Sequence, residues 1–332
     1  MIRIFSILIF SLAFTTVYGQ TFKIATIVPD GTRWMKEMRQ AADVIRQRTQ
    51  GRIKFRFYPG GVMGNNSSVL RKIRIGQLHG GVLTSGGLSE IYPDSQIYNM
   101  PFVFNSYDEV DYVRARMDKL IIIGLKKKGF ISFGLSESGF AYLMSNSPLQ
   151  CIEDLKRQKV WAPQGDRISR TAFESLGVSP VSLPLTDVLT GLQTGLINTV
   201  ASPPIGAIAL QWHTRVKYLA DIPLLYLYGT LVVKREAFER LSPEDQKIVQ
   251  DIMGKTFRNI NKQNRKDNQG ARQALRNQGI KFTLPADCNG QRWNKIVTES
   301  MKKLAEKGQF SEAMLKTLRG HLYDYRQGSA RK

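Results

Sequence analysis

The chain has 332 residues, of which 42% are hydrophobic, too long for one ordinary core and too apolar for a disordered protein. Its formal net charge is +21, a balance that points to nucleic acid in a cytoplasmic protein. No base-stacking motif is interleaved with the basic residues, however, and Lys126-Lys127-Lys128 reads as a solvated face that favours an anionic membrane or an acidic partner. Residues 1–19 read as a secretory signal peptide. Met1-Ile2-Arg3 gives a positive start, Ile4 to Phe14 is an apolar run broken by Ser6 and Ser11, and a cut falls near Gly19/Gln20. The run is too short for a membrane span. Export to the periplasm removes nucleic acid from the expected partners, and no cysteine at the cut indicates a lipid anchor.

In chain order, Phe22 to Ile27 predicts a first strand, ended by Pro29-Asp30-Gly31. Trp34, Met38, Ala41, Ala42 and Ile45 share one helical face. Ile53, Phe55 and Phe57 alternate with polar neighbours as a half-buried strand does. Ser67 is the expected cap of a helix carrying Val69, Leu70 and Ile73 and closed by Gly76. Val82 to Ser85 is a strand between Gly80-Gly81 and Gly86-Gly87, and Gly139 to Met144 is a strand expected to enter a second lobe near a hinge. Lys159 to Ala162, Val178 to Leu183 and Asn198 to Ala201 are three more strands. Asp166 and Thr186 are the expected caps of the helices between them. This second β-α-β-α-β unit predicts an α/β fold of two lobes, each with its own sheet. Ser242-Pro243-Glu244 is a helix start with cap, first-turn proline and first-turn acid. The helix is expected to run to Asn277 and to pass from one lobe to the other. The resulting division is 20–138 with 228–268 for lobe I, and 139–227 with 269–332 for lobe II.

Catalytic and metal constellations are not evident. His79, His213 and His321 have no metal-ligand spacing, and the sequence lacks GxSxG, a P-loop and CxxC. No enzyme, cofactor or metal site is therefore expected. Cys151 and Cys288 leave two alternatives open, a disulfide permitted by an oxidising compartment or two small thiols. Binding is better supported. Ligands of α/β sheets sit beyond the carboxyl ends of strands, and two lobes that face each other close on a ligand about a hinge. The candidates are Thr26, Thr84 and Ser85 in the first lobe, Trp161 and Ser202 in the second, and Phe140 and Tyr142 near the hinge.

Several segments carry a family resemblance. Thr49-Gln50-Gly51-Arg52-Ile53-Lys54 followed by Tyr58-Pro59-Gly60-Gly61-Val62-Met63-Gly64 resembles the signature of solute-binding proteins of TRAP transporters, the DctP type. Ile73 to Gln77, Asn99-Met100-Pro101-Phe102-Val103-Phe104, Asp154 through Pro163, Leu176 to Pro180, Asp187-Val188, Leu192 to Gly195 and Leu241 to Gln246 follow the same pattern in the same order. The likeness spans the mature chain. It implies a two-lobe periplasmic binding fold with hinge strands and a long lobe-spanning helix. It also implies capture of a small organic ligand and its delivery to a TRAP membrane permease.

One departure bears on the cargo. Where typical members place an arginine that pairs with a ligand carboxylate, this chain has Trp161 in Lys159-Val160-Trp161-Ala162-Pro163. Ser202 stands where the family usually carries an amide, and an upstream arginine of some members falls near Ala141 or Tyr142. A guanidinium gives a carboxylate two parallel hydrogen bonds, whereas an indole offers an apolar face and one donor. The expected ligand is thus apolar, aromatic or amphipathic rather than a small dicarboxylate, unless Arg167 or Arg170 reaches it from the next helix. Members without the arginine resemble a subgroup with a tetratricopeptide-repeat partner. A sensor or interaction subunit of the same fold is the competing expectation.

Overall fold

The computed structural model describes residues 19–284, 299, 302–304 and 308–329. Residues 1–18 of the expected signal peptide, and Cys288, lie outside the described residues. The elements follow in the order β1 (Gln20–Thr26), α1 (Arg33–Arg48), β2 (Ile53–Tyr58), α2 (Asn66–Arg74), β3 (Gly80–Thr84), α3 (Ser85–Leu88), α4 (Tyr107–Lys127), β4 (Phe130–Ser132), β5 (Ser136–Ser145), α5 (Ile152–Lys156), β6 (Trp161–Pro163), α6 (Arg167–Ser175), β7 (Val181–Leu183), α7 (Val188–Thr194), β8 (Thr199–Ser202), α8 (Pro204–Ala209), β9 (Tyr218–Ala220), β10 (Leu225–Lys234), α9 (Arg235–Glu239), α10 (Pro243–Asn277), β11 (Lys281–Thr283) and α11 (Glu312–Ser329). A 3-10 helix, Pro93–Asn99, precedes α4.

The first lobe begins with the parallel trio β2, β1 and β3, joined through α1 and α2. Helix α1 forms because Met35, Met38, Ala41, Ala42 and Ile45 recur at helical spacing and are buried, while Thr32 caps its start by accepting from Met35 N. Helix α2 begins two residues earlier than expected. Asn65, not Ser67, is its cap and accepts from Ser68 N, and the Ser67 hydroxyl donates to Glu90 instead. The second unit is also present: β6 and β7 are parallel, and Val160 bridges to Thr199 at the start of β8. Asp166 caps α6 by accepting from Ile168 N and Ser169 N. Thr186 makes no capping bond to α7 and donates to Asp187 instead.

The lobes do not keep separate sheets. Strands β5 and β10 are each ten residues long and join both halves in one path, β11-β9-β5-β10-β3-β1-β2, with β8 on β5 and β4 on β10. The antiparallel pair bends at one level. Gly139 has φ 101°, and the register shifts between Leu227 and Tyr228. A side chain at Gly139 would place its Cβ 2.9 Å from both Asn268 Nδ2 and Tyr107 Oη, so the bend requires glycine.

Helix α10 runs 35 residues from its cap Ser242, in agreement with the sequence reading, a length of about 52 Å at 1.5 Å per residue. It packs on α1, β5 and α8, and a polar stripe stitches it to the bend. Asn261 Nδ2 donates to Leu135 O at 2.9 Å, Glu137 N donates to Asn261 Oδ1 at 2.7 Å, Asn264 donates to Glu137 O, and Asn268 Nδ2 donates to Ser138 O at 3.0 Å. Glu137, 1% exposed, is held by Arg265 at 2.8 and 2.9 Å and by the Tyr226 hydroxyl at 2.9 Å. A buried carboxylate persists only with such partners.

The C-terminal helix differs from expectation. Residues 269–332 were grouped with lobe II, yet α11 packs on α4 and on the 3-10 helix of the first lobe. Met314, Leu315, Leu318 and Leu322 join the apolar cluster of α4, Arg326 grips Glu109 at 2.8 and 3.1 Å, and Ser311 donates twice to Asp94 at 2.7 Å. Its apolar stripe matches the open face of α4, and the register is fixed by these polar contacts.

Candidate ligand-binding cleft

The parallel strands β1 and β3 point their carboxyl ends, Thr26 and Thr84, toward the second lobe. The two lobes meet there through polar side chains. Asn65 Nδ2 donates to Gln164 Oε1 at 3.2 Å, and Gln96 Nε2 donates to Asp166 Oδ1 at 2.9 Å within a buried contact. A small residue allows the approach at one point. A Cβ on Gly61 would lie 3.0 Å from Thr186 Cγ2, whereas one on Gly86 would make ordinary contacts at 3.5 Å with Gln96 Nε2 and 3.8 Å with the Asp166 side chain. Ile168 of α6 belongs to the same apolar cluster as Leu88, Ile97 and Phe140.

Within the first lobe, Thr84 caps α3 by accepting from Gly87 N at 3.2 Å and also accepts from Asn66 Nδ2 at 3.0 Å. Thr26 is buried and accepts from Val28 N at 3.0 Å. Ser85 is buried beside them at the end of β3. These three expected residues lie together at the carboxyl ends of the adjacent strands β1 and β3.

The second-lobe candidates sit differently. Trp161 is 4% exposed; its indole N–H donates to Leu183 O at 3.0 Å, and its ring meets Trp212 edge to face at 5.2 Å. It packs with Val188, Leu192 and Leu219 in the core of the lobe. Ser202 is buried and donates to Pro203 O at 2.9 Å. Phe140 lies at the bend against Tyr107 at 4.8 Å and Tyr226 at 5.7 Å. Tyr142 lies under the Arg272 guanidinium at 4.9 Å. Burial raises its hydroxyl pKa above the ordinary value, with Arg272 opposing. Arg167 opens α6 and is exposed.

The sequence reading missed the residues that join the lobes: Asn65, Gln96 and Gln164, with Asp166 read only as a cap. Asp166 performs both tasks. Its Oδ1 accepts from Ile168 N at 3.0 Å and Ser169 N at 3.2 Å as well as from Gln96, and its Oδ2 accepts from Ser169 Oγ at 2.7 Å. Gln96 is fully buried, and its Oε1 has no hydrogen-bond partner among the described residues. No set of three metal-ligating side chains is found among the described residues, and none of their helices is long and apolar enough to cross a membrane.

A profile of the bacterial extracellular solute-binding proteins, family 7 (DctP), matches residues 24–308. The protein YiiZ of Salmonella typhimurium is 26% identical over 62% of this chain and 64% of its own length. The C4-dicarboxylate-binding periplasmic protein DctP of Rhodobacter capsulatus is 20% identical over 86% of each. The fold is that of a TRAP periplasmic solute-binding protein from Desulfovibrio salexigens with bound orotic acid: TM-score 0.83, 18% identity, covering 92% of this chain and 99% of that one. The chain belongs to the bacterial extracellular solute-binding proteins of family 7, which bind solutes rather than transform them.

Proposed function

We propose that this protein is the periplasmic solute-binding subunit of a TRAP-type secondary transporter, exported through its N-terminal signal and cut near Gly19/Gln20. It captures a small organic ligand by hinge closure and delivers it to the membrane permease. The observation that carries the reading is the meeting of the two lobes at the strand ends. The carboxyl ends of β1 and β3 face the second lobe across the Asn65–Gln164 and Gln96–Asp166 hydrogen bonds, and strands β5 and β10 link the lobes through a bend. The lobes divide at that bend, near 138/139 and 227/228.

The ligand is proposed to be amphipathic, with an apolar or aromatic part. The R. capsulatus relative is named for C4-dicarboxylates and the D. salexigens protein holds orotic acid; both ligands are acids. Here the position of the family arginine is filled by Trp161, whose donor is already bonded to Leu183. A carboxylate there would meet no guanidinium from β6, and an unpaired buried charge is costly. Arg167, exposed one residue after Asp166, is the nearby cation in sequence for an acidic end of such a ligand. A tetratricopeptide-repeat partner draws no support from the relatives.

Native mass spectrometry of freshly purified protein tests the reading, with small-angle scattering before and after ligand removal. Co-purification of a small aromatic or fatty molecule, with expansion on its removal, is the expected result. A tightly held C4-dicarboxylate would overturn the ligand class. An unchanged scattering curve on release would overturn hinge closure.

A further inference from the structure

We infer that Gln96 reads a hydrogen-bond donor on the ligand and couples it to lobe closure; this rests on the solute-capture reading above. Gln96 is fully buried, on the 3-10 helix Pro93–Asn99, beside Gly86 at the carboxyl end of β3. Its Nε2 donates across the cleft to Asp166 at 2.9 Å. That bond fixes which way the amide faces. Turning it over would set its carbonyl oxygen against a carboxylate, an acceptor against an acceptor. Oε1 is thus committed as an acceptor, and it is buried with no partner among the described residues. The large majority of buried side-chain polar atoms in folded proteins have a partner, so an unpaired one marks a place where a further group can bind.

The chemistry that completes it is an N–H or O–H group. A carboxylate oxygen, an ether or a carbonyl at the same place would face a lone pair. The ligand therefore presents a hydroxyl, amide N–H, amine or ring N–H toward the first lobe. Because the same amide bonds to Asp166, a donor seated on Oε1 holds Gln96 in the orientation that closes the lobes. Gln96 acts here as a specificity and coupling residue, and its selectivity depends on the charge of Asp166.

The test uses three pairs of aromatic probes that differ by methylation of the donor: mandelate and O-methylmandelate, indole-3-acetate and N-methylindole-3-acetate, anthranilate and N,N-dimethylanthranilate. Affinities are read by calorimetry on wild type, Gln96→Leu and Asp166→Asn. In any pair that binds, the donor member is expected to bind about tenfold tighter to wild type, the worth of one buried hydrogen bond. Gln96→Leu abolishes the preference. Asp166→Asn retains a helix cap but lets the Gln96 amide turn over, and is expected to reduce the preference to about threefold or less. Methylated and unmethylated probes that bind wild type alike would overturn the inference and leave solute capture standing. A donor preference that survives in both variants would also overturn it. Failure of all six probes to bind at about 10 mM would remove the aromatic, amphipathic ligand itself, and this inference with it.

Discussion

Trp161 decides between two roles that give opposite results on substitution. In the structure it is a core residue: 4% exposed, bonded to Leu183 O at 3.0 Å and packed edge to face on Trp212. Trp161→Ala removes most of a large buried side chain, which costs about 3–5 kcal/mol through transfer and cavity terms. The Leu183 carbonyl keeps its bond from Gln164 N at 3.0 Å, so the lost indole bond adds only about 0.5–1.5 kcal/mol. A total near 5 kcal/mol is expected. At roughly 3 kcal/mol per molar, that moves the urea midpoint by more than 1 M. Trp161→Phe keeps a six-membered aromatic ring but loses the N–H and part of the buried volume, so about 1–3 kcal/mol is expected. Urea unfolding followed by circular dichroism measures both. Calorimetry with the aromatic probes on Trp161→Phe then checks the cleft, where affinity is expected within about threefold of wild type. The reasoning is refuted if Trp161→Phe leaves the midpoint unmoved and weakens every probe more than tenfold, because the indole would then be touching ligand rather than core.

Three other outcomes follow from the hinge and the ion pairs. Glu137→Gln leaves Asp111 as the carboxylate paired with Arg265 and removes the charge from a pair buried on its carboxylate side, Arg265 being 29% exposed, so a loss of about 1–2 kcal/mol in unfolding free energy is expected; a change under about 0.5 kcal/mol would mean that the network contributes little. Gly139→Ala forces a side chain into φ 101° against Asn268 and Tyr107, and about 1–3 kcal/mol of strain is expected in the same assay, with a change in the extent of closure read by small-angle scattering. The Arg52 hydrogen bond holds the Asp245 carboxyl below its ordinary pKa. For Glu109, burial pushes upward but the Arg326 and Asn105 hydrogen bonds win, and the net shift is downward. Because both folded pKa values are depressed, their stabilisation is fully present above the unfolded value of about 4 and is lost as pH falls through the folded ones. Urea midpoints measured from pH 6 to pH 2.5 should fall more steeply for wild type than for the double variant Asp245→Asn, Glu109→Gln; parallel curves would discard the assignment.

Most of the fold is legible in sequence because its signals are local. The stripe Met38, Ala41, Ala42 and Ile45 defines α1, its first buried residue being Met35 where the sequence pattern points to the half-buried Trp34, and Ser242-Pro243-Glu244 marks the start of α10. Both patterns reflect burial periodicity and capping within one element. The sheet's continuity is not local. Nothing within 136–145 or 225–234 says that the two strands pair with each other across both lobes, since period-2 burial is the same whichever neighbour a strand finds. The placement of α11 fails for a similar reason. Its apolar stripe shows that it packs, and only the distant partners Asp94 and Glu109 show where.

The cleft divides along the same line. The position of Thr26 and Thr84 at strand ends, with Ser85 next in the chain, is legible because the end of a parallel strand is a position sequence can mark. Gln96 and Asp166 are 70 residues apart and meet only when the lobes are together, so no spacing rule reveals them. Asp166 was visible as a helix cap, a role that accounts for its sequence position and conceals the second bond it accepts. Trp161 is the harder case. Its occupancy of the family arginine's place is readable, and so is the loss of a carboxylate anchor. Which way the ring turns is set by Trp212 and by the carbonyl of Leu183, 51 and 22 residues away in the chain. The replacement therefore does more than exchange one ligand contact for another. It packs the side chain at this position into the core of the lobe, against Trp212 and the Leu183 carbonyl.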